Sequence, residues 1–169
     1  MQKARILFTD ICDKNCDGCV NKYMLDKFIN VSINALATHD ELIITGGEPM
    51  LFKDELIAFI KSIRAVNSIA PIYVYTALIT SISDLEDVAA FVDGFSVTLH
   101  SVEDVEKFVD LGLNKHTFNN KVMRLNDFTF SKAYLNLTGN WIYREKVWLK
   151  DCPIPEFETL LKIQNYGVF

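Results

Sequence analysis

Three cysteines fall within eight residues, Cys12-Asp-Lys-Asn-Cys16-Asp-Gly-Cys19, in a C-x3-C-x2-C spacing. Thiolates so spaced converge on one iron–sulfur cluster, and three protein ligands for the four irons of a cubane leave one iron open to a further ligand. Zinc is the alternative for close cysteines. A closed zinc site takes four ligands in paired motifs, and the chain has no second cysteine pair. The fourth cysteine, Cys152, stands before Pro153 without such neighbours and reads as a free thiol. A second signal is Gly46-Gly47-Glu48-Pro49. A glycine pair lets a ligand approach the backbone closely, and a carboxylate such as Glu48 pairs with an ammonium.

Both motifs need elements to hold them. Ala4 to Thr9 reads as a strand that runs into the cysteine loop, followed by a helix across Tyr23 to Leu36. Glu41 to Thr45 is a second strand ending at Gly46-Gly47. The helix after it places Leu56, Phe59, Ile60 and Ile63 on one face. Pro71 to Thr76 is a third strand, and Ser83-Asp-Leu-Glu86 carries the spacing of a capping box. Gly94 to His100 is a fourth strand. Ser101 to Asp104 caps a helix that turns Val102, Val105, Phe108 and Val109 inward, and Gly112 stops it. Lys121 to Asn126 is a fifth strand and Trp141 to Leu149 a sixth, while the segment after Asp151 shows no clear period. Strands alternating with amphipathic helices imply βαβ units and a mainly parallel sheet. A closed eight-stranded barrel takes about 250 residues, so the expected fold is α/β, an open partial TIM barrel of roughly (β/α)5-6, in a single domain spanning residues 1–169. Both motifs then follow strands at their carboxyl ends, the edge where ligands gather in such sheets.

Composition narrows the field. Half of the residues are hydrophobic and only four are proline, which argues for a folded domain rather than a disordered one. A net charge of -5 gives no basic field for a phosphate backbone, so nucleic acid is disfavoured as a partner. No apolar run approaches membrane-spanning length and no signal-peptide pattern opens the chain, so a cytoplasmic location with reduced thiols is expected. Other polar residues sit at defined places. Ser96, Thr98 and His100 share one face of the fourth strand, Arg124 and Asn126 share a face of the fifth, and Thr76 ends the third. An exposed polar face is the competing reading for Ser96 and Thr98. His39 and His116 lie among loop-like residues and read as solvated; Trp141, Tyr143 and Trp148 read as core or interface aromatics.

The cysteine motif after the first strand, followed by Gly-Gly-Glu after the second, resembles the radical S-adenosylmethionine (SAM) superfamily over about residues 4–128. The resemblance implies that Cys12, Cys16 and Cys19 ligate three irons of a [4Fe–4S] cluster, with SAM's amino and carboxylate groups on the fourth. It further implies that Gly46, Gly47 and Glu48 hold the methionine amino group, and that Thr76, Ser96, Thr98, Arg124 and Asn126 contact SAM. Arg124 suits its carboxylate, because a guanidinium forks a carboxylate well. The run Cys16-Asp-Gly-Cys19-Val-Asn21-Lys22 is also similar to the activating proteins of anaerobic ribonucleotide reductase. That likeness implies a large glycyl radical enzyme as partner and an electron donor such as flavodoxin or ferredoxin. Two further possibilities stay open: a small-molecule or nucleoside-precursor enzyme resembling carboxy-deazaguanine synthase, and a noncatalytic metal-binding module.

Anaerobic reconstitution of the chain is expected to load about four irons with matching sulfide, and Cys16→Ala to abolish the loading. Iron and sulfide assays with metal analysis check this; stoichiometric zinc without sulfide would overturn it.

Overall fold

Eight strands form one open, all-parallel sheet in the order β2-β8-β1-β3-β4-β5-β6-β7 in the computed structural model, which describes residues 2–14, 16, 19, 23–147, 154 and 156–167. The strands are β1 (Lys3–Thr9), β2 (Ile29–Val31), β3 (Glu41–Gly46), β4 (Ile72–Thr76), β5 (Gly94–Leu99), β6 (Val122–Asp127), β7 (Trp141–Glu145) and β8 (Glu158–Ile163). Four helices accompany them among the described residues: α1 (Lys53–Val66), α2 (Ile82–Ala89), α3 (Val102–Asp110) and the single turn α4 (Lys132–Leu135). From β1 through β3 to β7 each strand pairs with the next in the same direction. Right-handed crossovers in such a series put every connection on the same face of the sheet.

The core shows this arrangement directly. Leu56, Phe59, Ile60 and Ile63 of α1, Leu85 and Val88 of α2, and Val105 and Phe108 of α3 join one buried cluster. Alternate strand residues meet them there: Ala4, Ile6 and Phe8 of β1, Leu42 and Ile44 of β3, Ile72 and Val74 of β4, and Phe95, Val97 and Leu99 of β5. Residues of the opposite parity face away from the helices. They include Arg5, Ile43, Tyr73, Tyr75, Ser96, Thr98, Arg124 and Asn126. One face of the sheet is thus an apolar seat for helices, and the other carries the polar side chains.

Several expected elements differ. The helix expected over Tyr23 to Leu36 is helical only at Tyr23 and Met24 and then gives way to 3-10 turns at Leu25–Lys27 and Ile33–Thr38 on either side of β2. Its sequence, Phe28-Ile-Asn-Val-Ser-Ile-Asn34, sets β-branched residues beside Asn and Ser, which hold extended or turn conformations better than helix. A strand also appears where no period was evident: β8 lies between β2 and β1, with Leu160 and Leu161 both buried. Its apolar positions are only Leu160, Leu161 and Ile163 among Glu, Thr and Lys, too few to set a strand period. Helix α2 is capped two residues early. Ser81 Oγ accepts the Asp84 N–H at 3.0 Å and donates to the Asp84 carboxylate at 2.8 Å, whereas Ser83 lies inside the helix. Val102, expected inward, is 60% exposed at the first turn of α3, whose capping box is formed by Ser101 and Asp104 as the spacing predicts. The sixth strand ends at Glu145, and Trp148 and Cys152 lie outside the described residues. No helix among the described residues is long and apolar enough to cross a membrane.

Leu56 is fully buried between α1 and the strands that carry both motifs. Leu56→Ala is expected to destabilise the apo chain by about 2–5 kcal/mol through lost transfer energy and a residual cavity, read as a lower urea midpoint with an unchanged slope.

Candidate functional site

The cysteine loop leaves the carboxyl end of β1, and the Gly46-Gly47-Glu48-Pro49 loop leaves the adjacent end of β3. Two backbone hydrogen bonds join them: Gly47 N–H donates to Thr9 O at 2.6 Å and Glu48 N–H to Ile11 O at 2.8 Å. The glycine pair is required by this joint. A Cβ on Gly46, whose φ is +149°, would lie 2.2 Å from Thr9 O, and a Cβ on Gly47 would lie 1.9 Å from Ile11 O. What approaches these glycines so closely is therefore the chain's own backbone at residues 9–11, not a ligand. The close approach aims the residue before Cys12 across the end of β3.

Glu48 makes the joint rigid. Its side chain is buried, 1% exposed, and its carboxylate accepts four hydrogen bonds from the protein. Oε1 receives Thr76 Oγ1 at 2.6 Å and Met50 N–H at 3.0 Å; Oε2 receives Ala77 N–H at 2.7 Å and Leu78 N–H at 2.9 Å. Burial pushes the carboxyl's pKa up, and the bonds from Thr76 and the three amides draw it partly back. A carboxylate has about four lone-pair sites, and here the chain itself supplies a donor to each. Thr76 and Glu48 thus form a clamp between the ends of β3 and β4. This geometry differs from the expectation that the Glu48 carboxylate takes an ammonium and that Thr76 faces a ligand.

The thiols lie in the loop above this clamp. Cys12 is exposed and Cys16 and Cys19 are half-buried; a turn runs from Cys16 O to Cys19 N–H at 3.3 Å, and Lys14 N–H donates to Cys12 Sγ at 3.4 Å. Partial burial pushes the Cys12 thiol up, with Glu48, Asp13 and Cys19 acting in the same direction. Cys16 is likewise pushed up by burial and then by its two partner cysteines, so the three sulfurs lie within reach of one another's charge. Among the described residues no three acidic, histidine or cysteine side chains are already gathered around one metal position. The donor set is three thiols in one loop, a number and spacing that suit an iron–sulfur cluster.

The face away from the helices brings four expected residues together. Register places Ser96 opposite Arg124 and Thr98 opposite Asn126, and Asn126 Nδ2 donates to Ser96 Oγ at 2.8 Å. The Arg124 guanidinium carbon lies 4.2 Å from the centre of the Tyr73 ring, a cation–π contact that holds the side chain on this face. Sequence reasoning missed two residues on this face, Arg5 and Glu158, and a third, Asp127, which has the helix-side parity of Met123 and Leu125. Arg5 Nη2 pairs with Glu158 Oε2 at 2.9 Å, and the Arg5 guanidinium also lies over Tyr75 at 5.6 Å. Only alternation along β1 marks Arg5 in the sequence; nothing local marks Glu158, whose strand had no visible period. Asp127, fully buried at the end of β6, was missed as well. It accepts Thr129 N–H at 2.7 Å and Tyr143 Oη at 2.8 Å, and these and its other bonds outweigh burial to hold its carboxyl below the usual range.

The remaining candidates resolve into structure. His116 is half-buried, 3.2 Å from Glu86 and edge-on to Phe118, and His39 is half-buried with Nδ1 3.0 Å from Ala35 O, so neither is simply solvated. Trp141 is a core residue, its indole N–H donating to Leu113 O at 2.7 Å. Residues 3–114, more than half of the chain, match the family described as 4Fe-4S single cluster domain. No curated protein matches the sequence.

Removing the Glu48 carboxylate leaves four donors without an acceptor, and each buried donor so abandoned costs about 1–3 kcal/mol. Glu48→Ala is expected to destabilise the apo chain more than Glu48→Gln, which retains one acceptor oxygen, when the two are compared by urea unfolding.

Proposed function

Because the chain belongs to the 4Fe-4S single cluster domain family, we propose that it is a radical SAM enzyme whose cluster is held by Cys12, Cys16 and Cys19. The observation that carries this reading is the joint at the carboxyl edge of the sheet, where Gly47 and Glu48 bind the backbone of Thr9 and Ile11 and seat the cysteine loop beside the Gly-Gly-Glu turn. When bound, the reduced cluster supplies the electron that splits SAM into methionine and a 5′-deoxyadenosyl radical, and the radical takes a hydrogen atom from the substrate.

The chain's own residues orient and enclose. Since the Glu48 carboxylate is engaged by Thr76 and backbone amides, we place the amino group of SAM against main-chain oxygens of the Gly46-Gly47 turn, with Glu48 keeping that turn in shape. Arg124, held by Tyr73 on the face away from the helices, takes the carboxylate. Ser96, Thr98 and Asn126, on the same face, face the ribose. We read the open sheet as a partial TIM barrel, because its crossovers share one face and the polar residues line the other. Such a sheet does not close on itself among the described residues, so a substrate must complete the wall that keeps water from a radical.

A protein substrate does this best. The proposed reaction is activation of a large glycyl radical enzyme, which inserts a glycine loop at the open side, with flavodoxin or ferredoxin as electron donor and the reducing cytoplasm as the compartment. The Asn21-Lys22 likeness supports this reading. A small-molecule substrate is the competing possibility, and a noncatalytic metal-binding module the third.

With dithionite and SAM the reconstituted chain is expected to yield equal methionine and 5′-deoxyadenosine, and with a candidate glycyl radical partner a glycyl doublet by electron paramagnetic resonance that Cys16→Ala abolishes. A full cluster without SAM cleavage would favour the noncatalytic module. Deuterium passing from a labelled small molecule into 5′-deoxyadenosine with no partner present would replace the activase reading with the small-molecule one.

A further inference from the structure

One ion pair lies where the cysteine loop meets the β5 side of the sheet. Lys14 occupies the arc between Cys12 and Cys16; its main-chain N–H points at Cys12 Sγ, and its ammonium pairs with Asp104 Oδ1. Asp104 is not itself part of the loop. Its other oxygen, Oδ2, accepts the N–H groups of His100 at 2.8 Å and Ser101 at 3.2 Å, which anchors the carboxylate to the end of β5 and the cap of α3. The side chains are 23% and 12% exposed, so solvent ions screen the pair less than they would a surface pair. Lys14 stands two residues from Cys12 and two from Cys16, with its main-chain N–H 3.4 Å from Cys12 Sγ, so the paired charges are carried at the cysteine loop itself.

We propose that Lys14 and Asp104 set the reduction potential of the cluster bound by Cys12, Cys16 and Cys19, Lys14 raising it and Asp104 tempering that rise while holding the loop to the sheet. The inference rests on the iron–sulfur reading and is independent of SAM cleavage. Reduction adds one electron from an external reductant, taking [4Fe–4S]2+ to [4Fe–4S]+; no bond to Lys14 or Asp104 forms or breaks. A fixed cation beside one ligand favours the more negative, reduced form, and a fixed anion disfavours it. Local charge and hydrogen bonding at the sulfurs are established means of shifting such potentials. Lys14 and Asp104 are positioning residues here, since neither reaches the reacting atoms.

The test is a potentiometric titration of the full, anaerobically reconstituted chain with dithionite and mediators, without SAM, following the reduced cluster by electron paramagnetic resonance. Lys14→Met is expected to shift the midpoint to more negative potential and Lys14→Arg to stay near wild type. Asp104→Asn, which keeps an acceptor for the His100 and Ser101 amides, is expected to shift it the opposite way. A lesion that merely disturbs the loop would move both neutral variants in one direction, so a common direction, or a Lys14→Met midpoint equal to wild type, overturns the proposal. If Lys14→Met holds no cluster, Asp104→Asn decides: no positive shift there overturns it equally. A wild-type chain that assembles no cluster removes the iron–sulfur reading and this inference together, whereas the expected shifts without SAM cleavage would leave this inference standing and remove only the SAM reading.

Discussion

A carboxylate buried to 1% exposure must be matched by donors, and the requirement at Glu48 organises the carboxyl edge of the sheet. Its four bonds reach the amides after β3 and after β4 and the hydroxyl that ends β4. Its backbone N–H reaches Ile11, one residue before the first cysteine of the motif. Three segments distant in sequence are therefore fixed by one residue. Loosening any one of them leaves a buried polar group unmatched, which links the shape of the cysteine loop to the integrity of the sheet.

The sheet divides its work by parity. Side chains of one parity meet α1, α2 and α3 in a single apolar cluster, which makes the strands a stiff platform. Those of the other parity include Arg5 over Tyr75, Arg124 over Tyr73 and the Ser96–Asn126 bond, polar groups spread over β1, β4, β5 and β6. Contact with a tyrosine ring holds each guanidinium on this face. β8 adds to this division by returning the end of the chain between β2 and β1, where Glu158 meets Arg5. The strand that precedes the cysteine loop is thereby flanked on both sides, and the loop springs from the sheet's interior rather than from its edge.

Acidic side chains recur at the carboxyl edge: Glu48 after β3, Asp104 after β5 and Asp127 at the end of β6. Each is engaged by local amides or hydroxyls and shapes the loop that follows its strand. Asp104 alone of the three also pairs with a cation from the cysteine loop.

The sequence by itself determined the membership in an iron–sulfur family and the helix-side core. C-x3-C-x2-C and Gly-Gly-Glu are contiguous motifs; β1, β3, β4 and β5 announce themselves as short runs rich in apolar and β-branched residues, and α1 by its 3.6-residue apolar period. The Ser101–Asp104 box is visible for the same local reason. Tertiary structure alone decided what the motif residues touch. The glycines read as room for a ligand, yet their space is filled by the backbone of β1's end. Glu48 read as a partner for an ammonium, yet its acceptors are taken by groups up to 30 residues away. The Lys14–Asp104 and Arg5–Glu158 pairs join positions 90 or more residues apart, and β8 pairs with β1 and β2 from the far part of the sequence. Period and spacing report what an element presents to one layer of neighbours. A contact between distant segments depends on how the chain closes in space and leaves no periodic trace in the sequence.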